Sequence, residues 1–113
     1  MFSKDILDSL LRFRSERDWE QFHTPKNLAI SISIEAAELL EKFQWSLDND
    51  KSATDSELEE IRDELADIAI YLTYLSTDLG IDLSQAVIDK LQKNITKYPL
   101  SKARGRSTKY TKL

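Results

Sequence analysis

Apolar residues recur at helical spacing in four stretches of the chain, each bounded by residues that start or stop helices. The first is predicted to run from about Ser3, a possible N-cap, to near Asp18, with Ile6, Leu7, Leu10, Leu11 and then Phe13 or Arg14 continuing one stripe. The second opens at Thr24-Pro25, an N-cap followed by proline where its missing N–H is not needed, and is expected to end near Phe43 to Trp45. Within it, Ile30 to Ile34 alternates with serine as a strand would. Leu28, Ile32, Ala36, Leu39 and Phe43 nevertheless keep helical spacing, and the residues from Glu35 to Lys42 favour helix strongly. Residues 46–55 have loop composition. The third helix is expected to open with Ser56 and Glu59 as a capping box, to bury Leu58, Ile61, Leu65, Ile68, Ala69, Leu72 and Leu75, and to end at Gly80 as its left-handed C′ residue. Asp82 with Gln85 is a second capping box, opening a helix whose Ala86, Val87, Leu91 and Ile95 should point inward and which must stop before Pro99. Residues 100–113 show no strong periodicity and are predicted to be an irregular tail. The expected fold is all-α, one domain over residues 1–113 resembling a four-helix bundle.

Composition agrees with that reading. Two glycines and two prolines in 113 residues leave little turn material for a many-stranded fold. A chain of this length supports one core, and burial in so small a domain is incomplete, so an oligomer would help. With no cysteine, disulfides and thiolate metal sites are excluded. No run approaches the ~20 apolar residues of a membrane span, and no signal-peptide apolar stretch is seen, so a cytoplasmic protein with no membrane partner is expected.

The net charge of −4 conceals an asymmetry. Residues 35–67 hold twelve acids against three bases, whereas residues 90–113 hold eight bases and no acid. An acidic region suited to cations and a basic tail suited to anions together fit a metal-complexed polyphosphate. They also fit a solvated helix face with a basic tail resting on it. A nucleic-acid binder is disfavoured, because the acidic segment would repel a phosphate backbone.

Four carboxylates carry the candidate chemistry. Glu35 and Glu38 are three positions apart, as are Glu64 and Asp67, which on a helix places each pair on one face, roughly 5–6 Å apart at Cβ. Two such helices side by side would aim four carboxylates at one point. Mg²⁺ or Mn²⁺ prefers oxygen ligands of this kind, and Mg²⁺ completes its shell with waters and phosphate oxygens. Such spacing also occurs on exposed helices with no ligand. Glu35 between Ile34 and Ala36, and Asp67 between Ala66 and Ile68, lie in the most apolar parts of their helices, where uncompensated carboxylates would suffer repulsion and desolvation. A di-iron site needs Glu-x-x-His on two helices, and the one histidine, His23, has no glutamate three residues before it. A glycine-rich phosphate loop is excluded by the two glycines, Gly80 and Gly105, and nucleophilic triads lack a candidate.

The chain resembles the MazG-like all-α nucleoside triphosphate pyrophosphohydrolases, and within them the dCTP pyrophosphatase branch. The likeness is carried by the run from Glu16 to His23, by Asn27-Leu28, by Glu35-x-x-Glu38 before Phe43-Gln44-Trp45, and by Glu64-x-x-Asp67 before Ile70-Tyr71-Leu72. Asn94 before Tyr98-Pro99, Arg104-Gly105 and Lys109-Tyr110-Thr111 complete it. The resemblance implies hydrolysis between the α and β phosphates of a deoxynucleoside triphosphate, dCTP-like substrates being preferred, with Glu35, Glu38, Glu64 and Asp67 as ligands of Mg²⁺, for which Mn²⁺ can substitute. It implies a base pocket using Trp19, His23 and Trp45, with Trp45 able to serve a neighbouring subunit. Tyr71 is expected beside the sugar, where its ring would disfavour a ribose hydroxyl, and Asn94, Lys90 and Lys109 are expected on sugar or phosphate. A dimer or dimer of dimers is implied. Where relatives carry a histidine near the base, this chain has leucine around Leu10, which leaves the base open. A metal-dependent helical module that binds nucleotides without hydrolysing them shares all of these residues.

Overall fold

A computed structural model describes residues 1–45 and 54–113. It is all-α, and the described residues contain no strand. Among the described residues five helices follow in order: α1 (Lys4–Glu16), α2 (Pro25–Glu41), α3 (Asp55–Asp78), α4 (Leu83–Lys97) and α5 (Leu100–Ala103), with 3-10 turns at Glu20–Phe22 and Tyr110–Lys112. The chain divides into two compact units, Met1–Gly80 and Ile81–Leu113.

Side-chain caps set the helix starts. Ser3 Oγ accepts from the Ile6 amide at 3.4 Å, Thr24 Oγ1 from Asn27 at 3.1 Å, and Asp82 Oδ1 from Gln85 at 3.1 Å, all as the sequence implied. The third helix differs. Its cap is Thr54, whose Oγ1 accepts from the Glu57 amide at 3.1 Å, so the helix begins two residues before the expected Ser56. Thr54-x-x-Glu57 has the same spacing as Ser56-x-x-Glu59, and the earlier start brings Asp55 as well as Glu57 into the first turn, where negative charge meets the positive end of the helix dipole. The remainder of the expected loop, residues 46–53, lies outside the described residues. Replacing Thr54 with alanine is expected to cost about 1 kcal/mol, read as a lower urea midpoint with an unchanged slope.

Helix ends carry two smaller corrections. α1 stops at Glu16 rather than near Asp18, because Asp18 adopts a left-handed backbone with φ of 53° and the Arg14 carbonyl accepts from both Arg17 and Trp19. The Gln21 amide group donates to both the carbonyl and the carboxylate of Asp18, at 3.0 and 2.9 Å, which holds this turn. α2 ends at Glu41, the chain continuing to Trp45 in turns. Gly80 ends α3 as expected, at φ of 68°. The basic tail, expected to be irregular, instead forms the single turn of α5 after Pro99 and the final 3-10 turn. Pieces of three or four residues are too short to register as periodicity.

In the first unit α3 is the central element, with α2 and α1 packed on it. α2 runs antiparallel to α3, since Lys42 near its end lies 3.7 Å from Glu60 near the start of α3. α1 runs parallel to α3. Tyr74 donates to the Leu10 carbonyl at 2.7 Å, and one turn on, Arg14 meets Asp78. Leu28 is fully buried, and Tyr74 nearly so. The inner stripe of α2 runs through Leu28, Ile32, Glu35, Glu38 and Leu39, so the expected Ala36 lies outside it and two carboxylates lie within. On α3, Ile61, Glu64, Ile68, Leu72 and Leu75 are at least half-buried, while Leu58 and Leu65 stay exposed. On α1, Arg14 and not Phe13 takes the core-facing position, because its guanidinium finds a carboxylate partner there. In the second unit Ala86 is half-buried, but Val87, Leu91 and Ile95 remain more than half exposed, contrary to expectation, for the lack of a facing element within that unit. Tyr98 and Tyr110 meet edge to face at 6.0 Å, with the Lys97 ammonium 4.7 Å from the Tyr110 ring. No described helix is long and apolar enough to cross a membrane.

Candidate active site

The antiparallel packing of α2 on α3 turns two local spacings into one cluster. Ligand oxygens of Glu35, Glu64 and Asp67 lie within 4.8 Å of one another. Glu38, one turn beyond Glu35 on the inner stripe, is half-buried and near enough to perturb Glu35, but stands outside that group of three. Oε2 of Glu35 and Oε2 of Glu64 are buried without a hydrogen-bond partner. Buried carboxylate oxygens left unpaired are costly, and a divalent cation is the partner that would satisfy several at once. The residues therefore fit a hard metal ion. The Glu35 carboxyl is pushed up to about 8, chiefly by the Glu64 carboxyl with which it is placed to share a proton, then by burial, then by Glu38 and Asp67. Without a cation, Glu35 tends to keep its proton near neutral pH.

Beside the cluster, α1, the two residues flanking the Glu20–Phe22 turn and α3 border a cavity of about 500 Å³ lined by Ser9, Leu10, Phe13, Trp19, His23, Asp67, Ile70, Tyr71 and Tyr74. Asp67 belongs to both, so the cavity opens on the carboxylates. Its aromatic rings form a connected set. Phe13 meets Trp19 edge to face at 5.6 Å, and the His23 ring lies 6.4 Å from Trp19, 6.3 Å from Tyr71 and 5.4 Å from Tyr74. Burial, then the nearby Arg14 charge, pushes the His23 imidazole below its ordinary value, which favours the neutral ring. A flat heterocycle fits such walls by stacking.

Of the residues singled out in the sequence, Trp19, His23, Asp67 and Tyr71 meet at this cavity, and Glu35 and Glu64 adjoin it through Asp67. Trp45 does not. It ends the turns after α2 with 90% of its surface exposed. Lys90 and Asn94 lie on α4, and Lys109 precedes the last 3-10 turn, all in the second unit. The cavity also uses Leu10, which the resemblance set near the base, and Ser9, Phe13, Ile70 and Tyr74, which sequence reasoning did not place there. The signal was present in part, since Asp67, Ile70, Tyr71 and Tyr74 follow the i, i+3, i+4, i+7 spacing of one helical face.

Comparison with known proteins identifies the family. The MazG-like family profile matches residues 30–113. The chain is 41% identical to dCTP pyrophosphatase 1 of Mus musculus and 40% identical to that of Homo sapiens, each time over 97% of its own length and 66% of the relative's. It thus spans just under two thirds of those proteins. A solved pyrophosphatase from Archaeoglobus fulgidus DSM 4304 superimposes with a TM-score of 0.72 at 46% identity, covering 85% of this chain and 91% of that one. Profile, identity and fold agree that the chain belongs to the MazG-like family.

Proposed function

We propose that the chain is a nucleotide pyrophosphohydrolase that cleaves deoxynucleoside triphosphates between the α and β phosphates, releasing the monophosphate and pyrophosphate, with dCTP-like substrates preferred and Mg²⁺ as cofactor. The observation that carries this reading is the junction of the Glu35, Glu64 and Asp67 cluster with an aromatic cavity through one shared residue, Asp67. Polyphosphate chemistry and base binding need to be adjacent, and here they are. The relatives named as dCTP pyrophosphatases and the archaeal pyrophosphatase support the bond and the substrate class.

Glu35, Glu64 and Asp67, with Glu38 as fourth candidate, would hold the Mg²⁺ ion, which, when bound, would neutralise phosphate charge and activate water for in-line attack. The chain's own residues do the rest. Glu35 gives up its proton when the ion enters, and the carboxylates orient the attacking water. Trp19 and Tyr71 stack on or flank the base and sugar. Tyr71 stands one helical turn beyond Asp67, so a ring at that depth disfavours a 2′-hydroxyl and selects deoxyribose. Asn94, Lys90 and Lys109 are assigned to sugar and phosphate contacts as part of this reading. The activity suits clearance of unwanted nucleotides from the pool.

Incubation of the chain with a panel of deoxynucleoside triphosphates and Mg²⁺, followed by ³¹P NMR, tests the bond cleaved. Monophosphate and pyrophosphate are expected; diphosphate and orthophosphate would overturn the assignment. Tight nucleotide binding without turnover would instead favour a nucleotide-binding module.

The active form is proposed to be a dimer or dimer of dimers, in which Trp45 reaches a neighbouring subunit's site. On α2 a face opposite the carboxylates, with Ala29, Ile30, Ser33, Ile34 and Ala37 around a groove of about 460 Å³, is apolar apart from Lys26 at its end and uncovered among the described residues. Small residues at four-residue intervals let a second helix approach closely. Replacing Ile34 with aspartate is expected to halve the mass measured by light scattering; an unchanged mass would take this face out of the interface.

A further inference from the structure

Arg14 is the most buried charged residue described, with 6% of its surface exposed, and its role is not explained by the metal cluster. Its guanidinium makes a two-pronged pair with Asp78, both N–O distances being 2.8 Å, and lies 4.6 Å from the centre of the Tyr74 ring. Tyr74 is fixed from its other end, its hydroxyl donating to the Leu10 carbonyl at 2.7 Å. The His23 imidazole packs against Tyr74 at 5.4 Å, and its Nδ1 is buried with no hydrogen-bond partner. The order of contacts is therefore Asp78, Arg14, Tyr74, His23, and the last two line the cavity. The Arg14 carbonyl accepts from the Trp19 amide at 3.1 Å, so the same residue also fixes the turn that delivers Trp19.

We propose that Arg14 is a positioning residue which, through Asp78 and Tyr74, holds the His23 imidazole in the cavity wall so that its ring packs against the base of a bound nucleotide. The inference rests on the nucleotide reading above and adds to it the residue that fixes the orientation of His23. With its Nδ1 buried and unpartnered, the His23 ring is oriented by packing on Tyr74 and not by a hydrogen bond of that nitrogen. Arg14 serves this arrangement in two ways. Its rigid fork fixes Tyr74, and its positive charge, acting against Asp78 and Glu20, helps to keep His23 neutral. Lysine at position 14 retains the charge and loses the fork.

The test uses Arg14→Lys, Arg14→Gln, His23→Gln and the double variants, with kinetics on deoxynucleoside triphosphates and calorimetric binding of an α,β-methylene deoxynucleoside triphosphate. His23 is the sole histidine, so its imidazole gives one NMR signal to titrate. Expected are a rise of about 5- to 10-fold in KM and in the analogue's Kd for Arg14→Gln and His23→Gln, the worth of one well-placed ring contact, with kcat changed less than about twofold. Arg14→Lys should fall between. In the His23→Gln background the Arg14→Lys effect on KM should vanish, because both act through one contact. The His23 titration should move upward in Arg14→Gln and stay near its original position in Arg14→Lys. Additive effects on KM, equal losses in kcat and kcat/KM, or a His23 signal indifferent to Arg14→Gln would overturn the proposal. Should Arg14→Gln fail to fold, Arg14→Lys with the double cycle decides it. Failure of the native chain to hydrolyse any triphosphate would sink the hydrolysis reading alone, since analogue binding and the NMR titration need no turnover.

Discussion

Glu35→Gln is expected to reduce pyrophosphate release by about a thousandfold, the rate equivalent of the several kcal/mol of charge stabilisation that a correctly held divalent ion supplies. The same substitution should make the metal-free chain more stable above neutral pH. Glutamine has the shape of a protonated carboxyl and removes one member of a crowded acidic set. The pH dependence has a definite sign. The Glu35 carboxyl titrates at about 8 in the fold against an ordinary value of 4.5, so the folded state binds the proton more tightly than the unfolded state. Its contribution to stability is full below about 4.5, declines as pH rises, and is lost above about 8. The metal-free native chain should therefore show a melting temperature that falls across that window, and Glu35→Gln should flatten the fall. Saturating Mg²⁺ should raise the native melting temperature most at the alkaline end and release protons on binding, as calorimetry in buffers of different ionisation enthalpy would register. If Glu35→Gln retained full turnover, Glu35 would leave the proposed ligand set. If it retained the pH slope, the assignment of the titrating group would be wrong.

Asp78→Ala is expected to give the largest loss of stability among surface-accessible positions. It strands the Arg14 guanidinium, whose side chain is only 7% exposed, while Asp78 itself is 28% exposed. Removing one partner of a fully buried pair costs about 3–5 kcal/mol, and the partial solvation of Asp78 reduces this to about 2–3 kcal/mol here. For a unit of this size that corresponds to a fall of about 10 °C or more in melting temperature. Arg14→Gln should cost less, because the carboxylate it leaves behind can rehydrate. The ordering is the critical measurement. Equal losses from the two variants would show that packing of the arginine stem, and not desolvation of an unpaired charge, governs this pair.

These two positions divide what the sequence makes legible from what it does not. Glu35 was readable from Glu35-x-x-Glu38 and Glu64-x-x-Asp67, because three-residue spacing on a helix fixes a face without knowledge of the partner. The resemblance to the MazG-like family rested on the same residues and was matched by the comparisons. Arg14 was legible only as one of two candidates for a stripe position, and the greasier alternative, Phe13, was the wrong one for the core. The difference lies 64 residues away at Asp78, which no local pattern connects to α1.

By itself the sequence determined the all-α class, the four long helices, three of their four N-caps, the Gly80 stop and the acidic pairs, all of which depend on neighbours within about one or two turns. Only the tertiary structure decided that Glu35, Glu64 and Asp67 form the tight cluster with Glu38 beside it, that Trp45 stays outside the cavity, and that Phe13 and Tyr74 join Trp19, His23 and Tyr71 around it. Those outcomes follow from the antiparallel seating of α2 and the parallel seating of α1 on α3. Helix-on-helix register is set by the sum of many long-range contacts, so a pattern confined to one helix can mark a face but cannot say which residues of another helix will meet it.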